Sequence, residues 1–144
     1  MSFLSAFNTS VSGMTAQRQR VNTISENIAN AETTRTPQGG PYRRREVILA
    51  SVANDRTFEE ELLSQDRSVS TSTEVKVVGI VQDERPPILR FEPGHPDANE
   101  EGYVEMPNVN IMEEMVNLMS ANRSYEANTA AFNATKNMVQ SALD

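Results

Sequence analysis

The sequence predicts a mainly α fold with a small β region, in which amino-terminal and carboxy-terminal helices pair as an antiparallel coiled coil. Both ends carry apolar residues at the spacing of one helix face, whereas the middle is rich in Pro, Gly, acidic and β-branched residues. The chain has 144 residues, so the two helices leave only a small β-rich middle domain. The predicted parts are residues 1–34, 35–107 and 108–144.

One row of residues, seven positions apart, is wholly apolar in each terminal segment. The first segment has Phe7, Met14, Val21 and Ile28 in this row, and the last has Ile111, Leu118, Tyr125, Phe132 and Val139. A second row is mixed, with Leu4, Val11, Met115 and Leu143 among polar Arg18, Ser25, Asn122, Thr129 and Lys136. Polar residues in a helical seam reduce stability but penalise wrong alignments. The pattern therefore indicates helices that are specified for partner choice more than for strength.

These stripes predict an assembly interface. Its candidate residues are Leu4, Phe7, Val11, Met14, Val21, Ile24, Asn27, Ile28 and Asn30, together with Ile111, Met115, Leu118, Asn122, Tyr125, Phe132 and Val139. Within one chain we expect Phe7, Met14 and Val21 to be buried against Leu118, Tyr125 and Phe132, while the remaining edges meet neighbouring copies. Isolated helices are marginal in water, and these are rich in Asn. We therefore expect frayed ends in the free monomer that become ordered on assembly.

The remaining elements follow from local signals. The first helix is predicted to begin between residues 2 and 5 and to end near Asn30, before a Thr, Pro and Gly cluster. The predicted strands are 42–52, 75–81, 88–91 and 103–106, the last two joined by a turn-rich loop. Asn110 is the expected N-cap of the final helix, with Glu113 three positions on. Residues 54–68 fit either a short helix or a variable insertion.

Composition narrows the possible functions. The chain has no cysteine, which excludes disulfides and thiolate metal sites. Neither a secretory signal nor an apolar run long enough to span a bilayer is present, so export would need another route. The net charge of −7 is concentrated in residues 46–107, with fourteen acids against five bases, whereas residues 1–34 have two of each. This balance argues against nucleic acid as a partner, and near-neutral helices can crowd against copies of themselves.

Three further groups have both a functional and a plain interpretation. His95 with Asp97, Glu100 and Glu101 could suggest a metal site, but a solvated turn is the favoured interpretation because the ligands lack regular spacing. The basic run Arg43 to Arg45 could bind phosphate or peptidoglycan, or pair with nearby acids. Met112, Met115 and Met119 are interpreted as packing residues and not as a ligand groove. We predict no catalytic residues, cofactor, metal or small-molecule substrate.

Two groups of residues carry a family resemblance. Residues 12–16, 20–22 and 25–31 read SGMTA, RVN and SENIANA, which resembles the amino-terminal signature of bacterial flagellar rod and hook proteins. Residues 41–44, 91–98, 102–110 and 115–128 narrow the resemblance to proximal proteins of the basal-body rod. The likeness covers nearly the whole chain. Arg35, where such proteins often have Gly, and residues 54–68 depart from the pattern.

The resemblance implies a structural subunit that assembles with other axial proteins into a hollow helical drive shaft, the rod, which crosses the periplasm and transmits torque. It also implies export by the flagellar type III apparatus without a cleaved signal peptide. The implied partners are other rod proteins, copies of the chain itself, the hook-basal body adaptor and the export apparatus. The helices would form an inner coiled-coil layer.

Periodicity alone also permits a soluble coiled-coil adaptor that binds one partner and does not polymerise. An enzyme is the least favoured class, because no acid/base pair, nucleophile or phosphate loop stands out.

Overall fold

The computed structural model describes residues 3–53 and 73–143. Helix α1 spans Phe3–Ala29, strands β1 to β4 span Arg45–Ala53, Thr73–Gln82, Ile88–Phe91 and Tyr103–Met106, and helix α2 spans Ile111–Leu143. The predicted mainly α fold with a small β region is confirmed. The segment 54–68, for which two interpretations were open, lies outside the described residues.

The end of α1 and the beginning of α2 have the local chemistry that the sequence predicted. Asn110 caps α2, because its Oδ1 accepts the backbone N–H groups of Met112 at 3.1 Å and Glu113 at 3.4 Å. After α1, the backbone adopts positive φ at Gly39 and Gly40, where the absence of a Cβ removes the steric penalty. These turns redirect the chain toward β1.

The four strands form two separate antiparallel hairpins. Strands β1 and β2 pair from Arg45 with Gln82 to Ala53 with Thr73, and β3 pairs with β4. The first ladder shifts where Ile48 pairs with Gly79 and Leu49 pairs with Val77. Val78 is therefore the extra residue of a bulge on β2, and 66% of its surface is exposed.

The two helices run antiparallel along each other. At one end the rings of Phe7 and Phe132 meet edge to face, with centroids 4.9 Å apart. At the other end Asn27 Nδ2 donates to Glu114 Oε2 at 2.9 Å. Helix α1 also supports the first hairpin, since Ser12 Oγ accepts the backbone N–H of Val75 at 3.1 Å. Helix α1 is thus the common support of α2 and of the β1–β2 hairpin.

The hydrophobic core of the described residues is small. Its buried apolar members are Ala16, Ile24, Ala31, Val104, Met106 and Ala121. The largest fully buried side chains are those of Glu114, Val104 and Asn27, two of which are polar. Most large apolar side chains of α2 and of both hairpins remain at least one-third exposed. The fold is therefore held by close helix contact and a polar cluster more than by bulk apolar burial.

Candidate assembly interface

The seam is the contact between the two helices, and most of the buried residues of both helices are small. These small buried residues are Ser10, Gly13, Ala16 and Thr23 on α1, and Ala121 and Thr135 on α2. A Cβ placed on Gly13 would lie 2.8 Å from Asn128 Nδ2, closer than van der Waals contact permits. The absence of a side chain at Gly13 therefore leaves room for the Asn128 side chain between the two helices at this level.

The wholly apolar row lies beside this seam. Phe7, Met14, Val21 and Ile28 on α1 are half-buried, as are Leu118, Phe132 and Val139 on α2. Met14 Sδ accepts a hydrogen bond from Thr129 Oγ1 at 3.4 Å. The predicted row therefore lies beside the centre of the seam and does not form it. Ile111 and Tyr125 on α2 are exceptions, because they are more exposed.

The prediction that Tyr125 is buried between the helices is wrong. Tyr125 is 40% exposed, and Ile111 in the same row is 42% exposed. The reason is that α2 turns a different seven-residue row, Glu114, Ala121, Asn128 and Thr135, toward α1. Tyr125 and Ile111 consequently lie at the edge of the seam.

Most of the mixed row does not form a second seam row within the chain, although Thr129 contacts Met14. Leu4 is 72% exposed, Val11 45% and Met115 47%, and Asn122 is exposed as well. The methionine stripe does not pack within the chain, because Met112 is 72% and Met119 62% exposed, so its predicted packing role stays a prediction. These side chains face away from the seam, since it is filled by residues on the opposite side of each helix.

Asn27 is fully buried and uses its whole amide group. Its Oδ1 accepts the backbone N–H of Arg45 and the phenol of Tyr42, each at 2.9 Å. Its Nδ2 donates to the backbone carbonyl of Arg45 at 2.8 Å and to Glu114. Asn27 thus binds both polar groups of one backbone residue, as a neighbouring strand would, and anchors the beginning of β1 to α1. Asn27 and Asn30 both belong to the predicted interface, but Asn27 contacts other elements of its own chain and Asn30 makes local contacts with Glu26 and Thr33.

Glu114 forms a buried ion pair with Arg44. Its Oε1 accepts from Arg44 Nε at 2.9 Å and lies 2.8 Å from Arg44 Nη2. Glu114 is fully buried, and the Arg44 side chain is 14% exposed. Because buried charges are tolerated only when paired and hydrogen-bonded, this contact constrains α2 relative to the chain that precedes β1. We call Asn27, Tyr42, Arg44 and Glu114 the polar anchor.

The electrostatics of the polar anchor follow from burial and charge. Burial raises the pKa of Tyr42 above its usual value, an effect that the Arg45 cation opposes and nearby Glu26 and Glu114 reinforce. Burial lowers the pKa of Arg44, but the hydrogen bond and charge of Glu114 outweigh it, so the net pKa is raised. Asp83 lies 4.0 Å from Arg44, and hydrogen bonds from Arg85 lower the pKa of Asp83 to about 2. Arg44 and Asp83 therefore keep their charges across the neutral pH range.

Arg44 and Glu114 were not among the predicted interface residues. The basic run was expected to have acidic partners in the middle domain, and Arg44 does approach Glu46 and Asp83. Its shortest contact, however, is with a helix seventy positions away. A sequence signal existed in the row of Glu114, Ala121, Asn128 and Thr135, which has the heptad spacing without a large apolar side chain. A search for large apolar residues at heptad spacing does not detect such a row.

The turn around His95 has contacts of its own. His95 Nδ1 accepts the backbone N–H of Asp97 at 3.1 Å, and Asp97 Oδ2 accepts from Thr34 Oγ1 at 2.8 Å. Within residues 3–53 and 73–143, no group of three or more His, Asp or Glu side chains is arranged to hold a metal ion. Across the same residues, no helix combines the length and apolarity needed to cross a membrane.

Two family models match the ends of the chain. Residues 7–35 match the model described as flagella basal body rod protein, and residues 100–144 match flagellar basal body rod FlgEFG protein C-terminal. The two regions contain most of α1 and all of α2. Together with the paired terminal helices, these matches define a protein of the flagellar rod class.

Full-length relatives narrow this class. The chain is 43% identical to the flagellar basal-body rod protein FlgC of Borreliella burgdorferi, over 99% of this chain and 97% of the relative. It is 44% identical to that of Bacillus subtilis, over 100% and 98%, and 37% identical to that of Salmonella typhimurium, over 99% and 97%. The chain belongs to the FlgC family of flagellar basal-body rod proteins. The resemblance found in the sequence is thereby confirmed, and the family is structural and not enzymatic.

Proposed function

We propose that this rod subunit assembles through its terminal helices, which pair as an antiparallel coiled coil and form the inner layer of a hollow, torque-transmitting helical shaft. The observation that carries the proposal is the large amount of apolar helix surface that the chain itself leaves uncovered, such as Leu4, Met112 and Met119. Exposed apolar surface of this extent on a small chain is typical of interaction sites. The acidic middle, residues 35–107, would then lie on the outside.

The polar anchor supports a mechanical role. It joins the last turn of α1, the start of β1 and the first turn of α2 through four buried or partly buried side chains. Because paired buried groups separate only at a large free-energy cost, the anchor would hold the middle domain and the helices as one body. Force applied to one part would then reach the other without a flexible linker between them.

The family also suggests where the chain acts and what it meets. We propose a position in the rod across the periplasm, reached through the flagellar type III export apparatus without a cleaved signal peptide. Other rod proteins, copies of this chain and the hook-basal body adaptor would be its partners. The chain's predicted interface row supports the contacts with rod proteins, because half-buried side chains such as Phe7 and Leu118 retain surface that a neighbour can cover.

A single charged substitution tests this function. Leu118 is half-buried beside the seam, so Leu118→Asp would place a carboxylate where helices meet. In a strain lacking its own rod homologue, we expect the unchanged chain to restore swimming and to be present in isolated basal bodies. Leu118→Asp should be produced and exported but absent from basal bodies, with loss of swimming.

Glu126→Gln is the matched control, because Glu126 is exposed on the same helix. It should swim normally. Normal swimming of Leu118→Asp would contradict the interface. A chain that folds, remains monomeric and never co-purifies with basal bodies would instead support the non-polymerising adaptor.

A further inference from the structure

Each helix carries an outward apolar patch in its first turns. The N-patch consists of Leu4 and Val11 on α1, which are 72% and 45% exposed. The C-patch consists of Ile111, Met112, Met115, Val116 and Met119 on α2, which are 42–72% exposed. Farther along each helix the outward face becomes polar, at Arg18 and Asn22 on α1 and at Asn122, Arg123 and Glu126 on α2. Both patches are therefore discrete and have an end.

The antiparallel pairing places the two patches at opposite ends of the helix pair. Asn27 contacts Glu114, so the C-patch lies beside the last turns of α1, whereas the N-patch lies near the level of Phe132. At about 1.5 Å per residue, Val11 and Met115 are separated by about 20 Å along the pair. One chain cannot bring its own two patches together while the pair is intact.

Charge indicates which surface can cover the C-patch. Residues 1–17 contain no acidic or basic side chain, so packing the N-patch against methionines would leave no side-chain charge of that segment buried and unpaired. Several other exposed apolar side chains lie beside charged residues. Val52 pairs across the ladder with Glu74, and Leu89 pairs with Glu105. Covering those faces would desolvate the neighbouring carboxylates.

We infer that the C-patch of one copy binds the N-patch of a second copy. This contact rests on the proposed function and specifies how copies of the chain associate. Methionine side chains are flexible and polarisable, so they can fit around Leu4 and Val11. The contact uses different surfaces on the two partners. It therefore does not close after two copies but continues from copy to copy.

Cysteine pairs test this contact without background, because the natural chain contains no cysteine. Val11→Cys combined with Met115→Cys would form a disulfide only between copies, since the separation within a chain far exceeds the limit of about 7 Å between Cα atoms. Mild oxidation of basal bodies from swimming cells should yield dimers and longer oligomers of the chain. Val11→Cys with Asn122→Cys, one heptad farther along the outward face of α2, is the matched control and should remain monomeric.

Several results would overturn the inference. These are a swimming strain whose Val11→Cys/Met115→Cys chain stays monomeric, a cross-link to a different protein, and dimers from Val11→Cys alone. If the cysteine pair itself abolishes swimming, a charge pair decides. Val11→Lys and Met115→Asp should each reduce swimming, and their combination should restore it. No restoration overturns the contact. Absence of the unchanged chain from basal bodies would instead contradict the proposed function.

Discussion

Asn27 and Glu114 are the residues on which three elements converge. Asn27 belongs to α1, Glu114 to α2, and both bind the segment that contains Tyr42, Arg44 and Arg45. No buried side-chain N or O atom among the described residues lacks a hydrogen-bond partner. A fully satisfied polar cluster of this kind stabilises one arrangement over others, because any shift leaves a buried donor or acceptor unpaired. The anchor therefore specifies the register of the two helices.

Removing the carboxylate of Glu114 should strongly destabilise the protein. Glu114→Ala would leave the largely buried Arg44 guanidinium without its closest counter-charge, and breaking a buried pair costs about 3–5 kcal/mol. We expect the free energy of unfolding, measured in urea, to fall by about that amount. Glu113→Ala, next to it but exposed, should cost less than about 1 kcal/mol. Equal losses for the two variants would contradict the role of the buried pair.

Tyr42 predicts a loss of stability in alkali. Its pKa is raised from 10.0 in the folded protein, mainly by burial, so the neutral phenol is the form that folding favours. The contribution of Tyr42 is complete below pH 10 and is lost as the pH rises through its folded pKa. Relative to Tyr42→Phe, the natural chain should therefore lose free energy of unfolding above pH 10.

The ultraviolet titration of the chain's three tyrosines gives an independent measurement of the same effect. Tyr42→Phe should remove the phenol that ionises above pH 10. A titration that keeps its late phase in this variant would assign the raised pKa to another tyrosine.

At the scale of elements, the helix pair depends on close approach at a few positions. Gly13 faces Asn128, and the neighbouring buried seam positions on both helices are small. A seam of small residues brings backbones together but buries little apolar area, so its stabilisation depends on complementarity. Large apolar residues flank it and remain partly exposed. The same pair can thus be correctly aligned within one chain and still have surface for neighbours.

Gly13→Ala tests this close approach. Alanine should favour a helix by about 1 kcal/mol, but its Cβ would lie 2.8 Å from Asn128 Nδ2, and overpacking costs about 1–3 kcal/mol. We expect a net loss of up to about 2 kcal/mol in thermal or urea unfolding. In an Asn128→Ala background the clash is absent, so the same substitution should stabilise the chain. A gain in stability with Asn128 present would show that the helices do not meet tightly there.

At the scale of the whole molecule, the chain leaves many apolar side chains exposed to water, which is energetically unfavourable. Both hairpins contribute, for example at Val78 and Phe91, and so does the start of α2. The acidic middle opposes uncontrolled aggregation, since residues 46–107 hold most of the negative charge. This division, neutral helices beside an acidic middle, is what a soluble subunit of a packed assembly requires.

The small core predicts that helix content depends on concentration. The 27-residue α1 and 33-residue α2 bury few large side chains within the chain, so the ends away from the polar anchor should fray in dilute monomer. Circular dichroism at 222 nm should show increasing helicity as the concentration rises or as other rod proteins are added. Full helicity at low micromolar concentration, with no oligomer in sedimentation, would contradict coupled folding and assembly.

The sequence was sufficient for the elements themselves. The strands β3 and β4 and the cap at Asn110 were predicted at their observed positions, and both helices within a few residues. These features depend on local chemistry, such as turn residues, caps and the period of apolar residues, which neighbouring positions carry. Membership of the rod family was also readable, because it rests on contiguous motifs.

Only the tertiary structure decided which face of each helix is the inside. Large apolar residues were expected at the centre of the seam, but Gly13 and Ala121 are there, whereas Tyr125 lies at its edge and Met112 faces outward. The ion pair of Arg44 with Glu114 joins residues seventy positions apart. Periodicity identifies an apolar face but not what covers it. Under the proposed function, other molecules cover some of that face, whereas the row that packs within the chain is chosen by shape and by buried polar partners.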